Sequence, residues 1–212
     1  MNNKTKKYFL LSNDQIVVTT DQAISDIVFV DTVDDVRAII MTDNNKPPAL
    51  IGIRRLVFAR RLLDVRKQRN LGQEVLSKRI REETGVKISG QLISKYENAR
   101  LMPTISGLKA ICRVLNVSAD YLLGSTSQKK INLSTGNVCF SDRLAQLVSK
   151  QKLTQNAVRE KMIVQYSGQR NVGGQYLRNL LKNGEVACIS TLPELSKILG
   201  VSVDYLIGLT DQ

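Results

Sequence analysis

The side chains with chemistry to offer in this chain are amides and cations rather than nucleophiles or proton-transfer pairs. There is no histidine, which removes the commonest general base, the His-based triads and the commonest metal ligand. The cysteines, Cys112, Cys139 and Cys188, are three in number, and no two have metal-ligand spacing. That argues against a disulfide framework or a zinc site and for a reducing compartment. No P-loop or dinucleotide-binding glycine pattern occurs, and nothing nominates an Asp/Glu pair for acid–base work. Neither an enzyme nor a cofactor is expected. What remains is positive charge, a net of +12. It is unevenly placed: residues 1–53 carry five Lys/Arg against seven Asp/Glu, and residues 54–212 carry twenty-six against twelve. A basic excess of this kind attracts polyanions, most commonly nucleic acid, although a solvated surface also accounts for it.

The elements that must hold these side chains follow from length and repetition. A chain of 212 residues suits two small domains, or one domain with sizeable extensions. With no Trp and only ten Phe and Tyr residues, the core must be mostly aliphatic, which suits packed helices. Sliding the chain against itself exposes a duplication. At an offset of 82, Phe58, Arg61, Leu62, Leu71 and Gln73 fall on Phe140, Arg143, Leu144, Leu153 and Gln155. At an offset of 84, LNVSADYLLG falls on LGVSVDYLIG. The second copy is two residues longer between its second and third helices.

Each copy reads as about five helices. In the first, helical periodicity covers Leu56 to Gln68, followed by a second helix from Gln73 to Glu83 that ends at Thr84-Gly85. Ser89 is placed to cap a third helix, Gly90 to Glu97, and Thr104 a fourth that ends at Leu115. Ser118 is placed to cap a short fifth, with Asp120 in its first turn favouring the helix dipole. The second copy repeats the plan: Ser141 to Lys152, a helix from Gln155 capped by Thr154, Gly174 to Lys182, a helix opened by Ser190 or Thr191 with Pro193 in its first turn, and a last one capped by Ser202. The domain plan is therefore an acidic arm or small module at 1–53, a first domain at 54–124, a linker at 125–138 and a second domain at 139–212. In the arm, Gln15 to Thr20 and Ile27 to Val30 are strand-like, Asp31 or Thr32 is placed to cap a helix to Ile40, and residues 43–48 are a loop.

Three segments, LGQEVLSKRI, LISKYENARLMP and LKAICRVLNVSADYLLG, resemble the lambda-repressor-like (XRE/Cro-C1) helix-turn-helix family. The second copy is similar at LTQNAVREKM and LPELSKILGVSVDYLIG. The resemblance implies a mainly α protein: two tandem five-helix helix-turn-helix domains behind a small acidic N-terminal segment with short strands. It also implies a sequence-specific transcriptional regulator of double-stranded DNA, of the bacterial or phage repressor kind. In such domains the third helix enters the major groove with its N-terminal residues against base edges. That nominates Ser89, Gly90, Gln91, Ser94 and Lys95, with the Gln91 amide suited to adenine. By the same resemblance Gln73 is a phosphate-clamping glutamine at a helix N-terminus, and Asn98 and Arg100 touch phosphate past the third helix. The counterparts in the second copy are Gln155, Gln175, Tyr176, Arg178, Asn179 and Lys182.

The chain departs from the family in two places. Its connectors before the third helices are long and polar, Thr84 to Ser89 and Ile163 to Gly173; they are either filler or phosphate contacts through Lys87 and Arg170. The second third helix has Leu180-Leu181-Lys182 where the first has Tyr96-Glu97-Asn98, so it either reads DNA weakly or serves dimerisation. Gln73 and Gln155 have the alternative of being solvent-facing first-turn residues. Glu97 is expected to hold a loop or a neighbouring Arg, and Tyr121 and Tyr205 to pack. Leu76, Ile80, Ile93, Tyr96, Leu108, Ile111, Leu115, Leu122 and Leu206 are expected in the core. Double-stranded DNA is the expected partner. A homodimer, and a protein partner docking on residues 1–53, stay open. So does a different class of function, a protein-interaction module acting as antirepressor or antagonist of another regulator. No stretch approaches the about 20 apolar residues of a membrane span, and no signal peptide is evident. A cytoplasmic, nucleoid-associated protein with no membrane partner is expected.

Overall fold

The computed structural model describes residues 7–12, 15–20, 28–30, 50–134, 138–154, 156–158, 160–161 and 189–211. The chain is mainly α with one small sheet. Strands β1 (Lys7–Ser12), β2 (Gln15–Thr20) and β3 (Val28–Val30) form an antiparallel sheet in the order β1-β2-β3. Lys7 pairs with Thr20 and Ser12 with Gln15, while Ile16 pairs with Val30. The β-branched β2 and β3 match the sequence expectation, and β1 is an addition to it. The expected helix to Ile40 and the loop at 43–48 lie outside the described residues.

Helix α1 (Leu50–Gln68) starts earlier than its periodicity suggests. The expected domain boundary at 53/54 thus falls inside a helix. Its buried face carries Val57, Phe58, Leu62 and Val65 together with three arginines, Arg54, Arg61 and Arg66. A buried guanidinium is tolerated only when its N–H groups find acceptors. Arg54 donates to the Leu123 carbonyl at 3.0 Å and to Glu194 Oε1 at 2.6 Å.

Helices α2 (Gln73–Thr84), α3 (Gly90–Glu97), α4 (Ile105–Leu115) and α5 (Ala119–Leu122) follow. Three of the starts are set by side-chain caps: Ser89 accepts from the Leu92 N–H, Thr104 from Gly107 and Ser118 from Tyr121. Helix α2 ends on Gly85, whose φ of 73° is the left-handed conformation that lets its N–H close on the Arg81 carbonyl.

The later half contains α6 (Phe140–Lys150), a 3₁₀ turn (Ile189–Thr191), α7 (Leu192–Leu199) and α8 (Val203–Leu206). Residues 156–158 and 160–161 are helical. Pro193 lies in the first turn of α7, where its missing N–H costs nothing, and Ser202 caps α8 by accepting from Tyr205. The expected helix at Gly174 to Lys182 and the connector at Ile163 to Gly173 lie outside the described residues.

Contacts in the two halves recur at the offsets of the repeat. The Arg61 guanidinium lies 4.4 Å over the Tyr121 ring and donates to the Tyr121 and Thr126 carbonyls. The Arg143 guanidinium lies 4.1 Å over the Tyr205 ring and donates to the Tyr205 and Thr210 carbonyls. Left-handed residues recur at Asn70 and Lys152, Asn116 and Gly200, and Gly124 and Gly208. One apolar cluster runs through both halves and includes Leu76, Ile80, Ile93, Leu108, Ile111, Leu115, Leu122, Leu144, Leu195 and Leu206. All the core residues expected from the sequence, Tyr96 among them, are buried.

Candidate nucleic-acid interface

Helices α2 and α3 and their connector position the candidate side chains. On α3, Ile93 and Tyr96 are buried and pin the helix to the core. At helical spacing this leaves Gln91 and Lys95 exposed on the outer face, with Ser94 half-buried between the two sides. The start of α3 is fixed by Ser89, and its end by Asn98, whose amide donates to the Ser94 carbonyl at 2.8 Å.

The angle between α2 and α3 is held by a polar lock. Glu97 ends α3. Its Oε1 lies 2.5 Å from Arg66 Nε, and its Oε2 accepts from Arg66 Nη2 at 2.8 Å. The same Oε2 accepts from the Gln73 amide at 2.7 Å, and Arg66 Nη1 donates to the Leu71 carbonyl at 2.6 Å. One carboxylate thus receives donors from α1 and α2 together. The hydrogen bonds to Glu97 hold the Arg66 guanidinium more firmly protonated than usual. Glu97 holds a neighbouring arginine as expected, and that arginine is Arg66.

The connector from Gly85 to Ser89 is not loose. Ile88 is buried, its carbonyl accepts from the Ser77 hydroxyl at 2.6 Å, and the Val86 N–H donates to Thr84 Oγ1. This fixes a short segment from which Lys87 projects into solvent.

Among the nine candidates in the first half, Lys87, Ser89, Gln91, Lys95, Asn98 and Arg100 are exposed. Gln73 is half-buried and gives one amide hydrogen to Glu97, leaving its second hydrogen and its carbonyl oxygen to meet a partner from outside. Gly90 departs from expectation. It is buried, and a Cβ built there would fall 2.0 Å from Glu74 Oε1. The Glu74 carboxylate lies over it, so Gly90 is covered at the start of α3 rather than exposed there. In the second half, Gln155, Arg170, Gln175, Tyr176, Arg178, Asn179 and Lys182 all lie outside the described residues.

The charge around this surface is mixed. Residues 73–100 hold six Lys/Arg against four Glu. The cations Lys78, Arg79, Arg81, Lys87, Lys95 and Arg100 are all exposed, whereas Glu97 is consumed by the lock. The outward-facing balance is therefore more positive than the sequence count. Periodicity did not reveal Arg54, Arg61 and Arg66 as buried, because charged residues ordinarily mark the solvent side of a helix.

A helix-turn-helix domain is identified over residues 59–126, which match the family model of that description. The match begins within α1 and covers α2 to α5. No curated protein and no solved structure is significantly similar to the chain. The matched domain is a binding fold and not a catalytic one. Among the described residues, no group of three or more His, Cys, Asp or Glu side chains is placed to hold a metal, and no helix is long and apolar enough to cross a membrane.

Proposed function

We propose that the chain is a sequence-specific regulator of transcription that binds double-stranded DNA, acting as a repressor of the bacterial or phage kind, with α3 as its first reading element. The observation that carries this reading is the outer face of α3. Gln91 and Lys95 are exposed on a helix whose inner face and both ends are fixed. An amide with one donor and one acceptor side can pair with an adenine edge in a major groove about 12 Å wide. Ser94 supplies a hydroxyl beside it. Lys87, Lys95, Asn98 and Arg100 surround these residues as phosphate contacts, and the half-free Gln73 amide stands at the N-terminus of α2, where backbone N–H groups also favour an anion.

Residues 139–212 are proposed as a second copy of the domain, behind a linker at 125–138. The recurrence of the Arg61–Tyr121 arrangement at Arg143 and Tyr205 supports this. Its reading residues would be Gln155, Gln175, Tyr176, Arg178, Asn179 and Lys182, with Arg170 on phosphate. Residues 1–53, acidic and carrying the small sheet, are proposed as a protein-docking arm rather than a DNA contact. The setting proposed is the cytoplasm, on the nucleoid.

The experiment is duplex binding by the intact chain across a salt series. Phosphate-driven binding loses affinity by orders of magnitude between about 50 and 200 mM salt. Affinity for duplex that is absent, or flat across the series, would contradict the proposal and favour a protein-interaction module.

A further inference from the structure

The two halves of the chain meet through α5 and α8, and the polar contacts there run in both directions. Asp204 Oδ1 accepts from the Ala119 N–H at 2.6 Å, and Asp204 Oδ2 accepts from the Ser118 hydroxyl at 2.6 Å. In return, Asp120 Oδ2 accepts from the Asp204 N–H at 3.0 Å, and the Val203 N–H donates to the same carboxylate. Asp120 and Asp204 occupy the same position of LNVSADYLLG and LGVSVDYLIG. Each carboxylate therefore caps the first turn of the other half's last helix, where N–H groups lack partners within the helix and the dipole favours negative charge.

Apolar burial surrounds this exchange, since Leu122, Leu123, Leu206, Ile207 and Leu209 are fully buried. The Arg54–Glu194 pair adds a further tie between α1 and α7, with both side chains only 1% exposed. The connecting chain lies along the seam instead of spanning a gap. The Lys129 carbonyl accepts from the Ser118 N–H, the Ser134 N–H donates to the Leu209 carbonyl, and Lys109 Nζ donates to the Val138 carbonyl at 3.0 Å.

Reciprocal contact between equivalent residues is what a two-fold axis produces between identical subunits. Here it is made within one chain. We infer that this seam takes the place of a subunit interface, so that a single chain, as a monomer, engages a duplex bearing two half-sites. The seam stands on the contacts above, whereas the engagement of DNA rests on the proposed function. The start of α5 is thus already covered by α8 of the same chain and does not present this face to a second copy.

The test uses the intact chain. Light scattering over a micromolar concentration series reads its mass, free and with duplex selected from a random pool. Hydrogen exchange reads the Ala119, Val203 and Asp204 amides. The expected free mass is 23.7 kDa at every concentration, the three amides exchange slowly, and one chain loads per duplex. A free mass rising toward twice that value, or rapid exchange at those amides, overturns the seam. A monomeric chain with protected amides that loads two copies on each duplex overturns single-chain engagement. If no duplex is selected at all, the proposed function fails, while mass and exchange still decide the seam.

Discussion

Arg66 and Glu97 form a two-pronged pair across 31 residues of chain, with Nε and Nη2 on the two carboxylate oxygens at 2.5 and 2.8 Å. Both side chains are nearly buried, at 10% and 4% exposure. Because Glu97 also takes the Gln73 amide, this pair fixes the outward helix α3 to both α1 and α2. Glu97→Ala leaves a buried guanidinium without its main partner and is expected to cost about 3–5 kcal/mol of stability. Glu97→Gln keeps one acceptor and should cost less. Urea unfolding midpoints at neutral pH check this; equal and negligible losses for both variants would show that the pair does not organise the domain.

The seam between the halves makes stability depend on pH. Burial pushes the Asp204 carboxyl up to about 6, against the opposing hydrogen bond from Ser118 and with the added repulsion of Asp120. Asp120 is raised as well, mainly by burial. A carboxyl whose folded-state value lies above its unfolded one binds more protons in the folded state. Its contribution to stability is therefore complete below about pH 4 and is lost as pH rises through about 6. Stability attributable to this site should fall between pH 4 and 7, and Asp204→Asn should flatten that fall. The check is the difference in unfolding free energy between the two proteins along a pH series. A difference that does not change with pH would contradict the assignment.

Charge at the opening of α3 is set by Glu74, whose carboxylate covers Gly90. Glu74→Gln removes a negative charge beside the end of α3 that is proposed to enter the groove. Duplex affinity should rise severalfold for any sequence. Folding stability should fall by about 0.3–1 kcal/mol, because a carboxylate favours a helix N-terminus. Unchanged affinity would place DNA away from this end of the helix.

Arg100 is exposed immediately past the turn that closes α3. Arg100→Ala should weaken binding to all sequences about equally and reduce the salt slope by about 1, as expected on losing one phosphate contact. Parallel salt titrations measure this. A change in sequence preference instead would make Arg100 a base reader.

Local signals made much of the first half legible. Ser89, Thr104 and Ser118 cap the helices they precede in the sequence, because capping is a contact over three residues. Long-range pairing was not legible in the same way. Asp120 looks from the sequence like a charge stabilising its own helix, yet its carboxylate accepts from the N–H groups of α8. The buried ends of Arg54, Arg61 and Arg66 depend on carbonyls and a carboxylate from distant segments, so periodicity alone assigned none of them to the core. Strand β1, KYFLLS, lacks the alternation and β-branched residues of a strand, and it is defined by its pairing with β2. On the outer face of α3, the exposed Gln91 and Lys95 followed from helical spacing. The covering of Gly90 depends on where the Glu74 side chain from α2 comes to lie, which no spacing encodes.

The most direct test of the central claim is selection of bound duplexes from a random pool by the intact chain and by Gln91→Ala. The account predicts a defined sequence for the intact chain, with adenine favoured at one position. In the variant that preference should relax at a cost of about 1–3 kcal/mol for the favoured site, leaving the remaining positions as before. An unchanged selected sequence for Gln91→Ala, or no enriched sequence for the intact chain, would contradict the claim that α3 reads DNA.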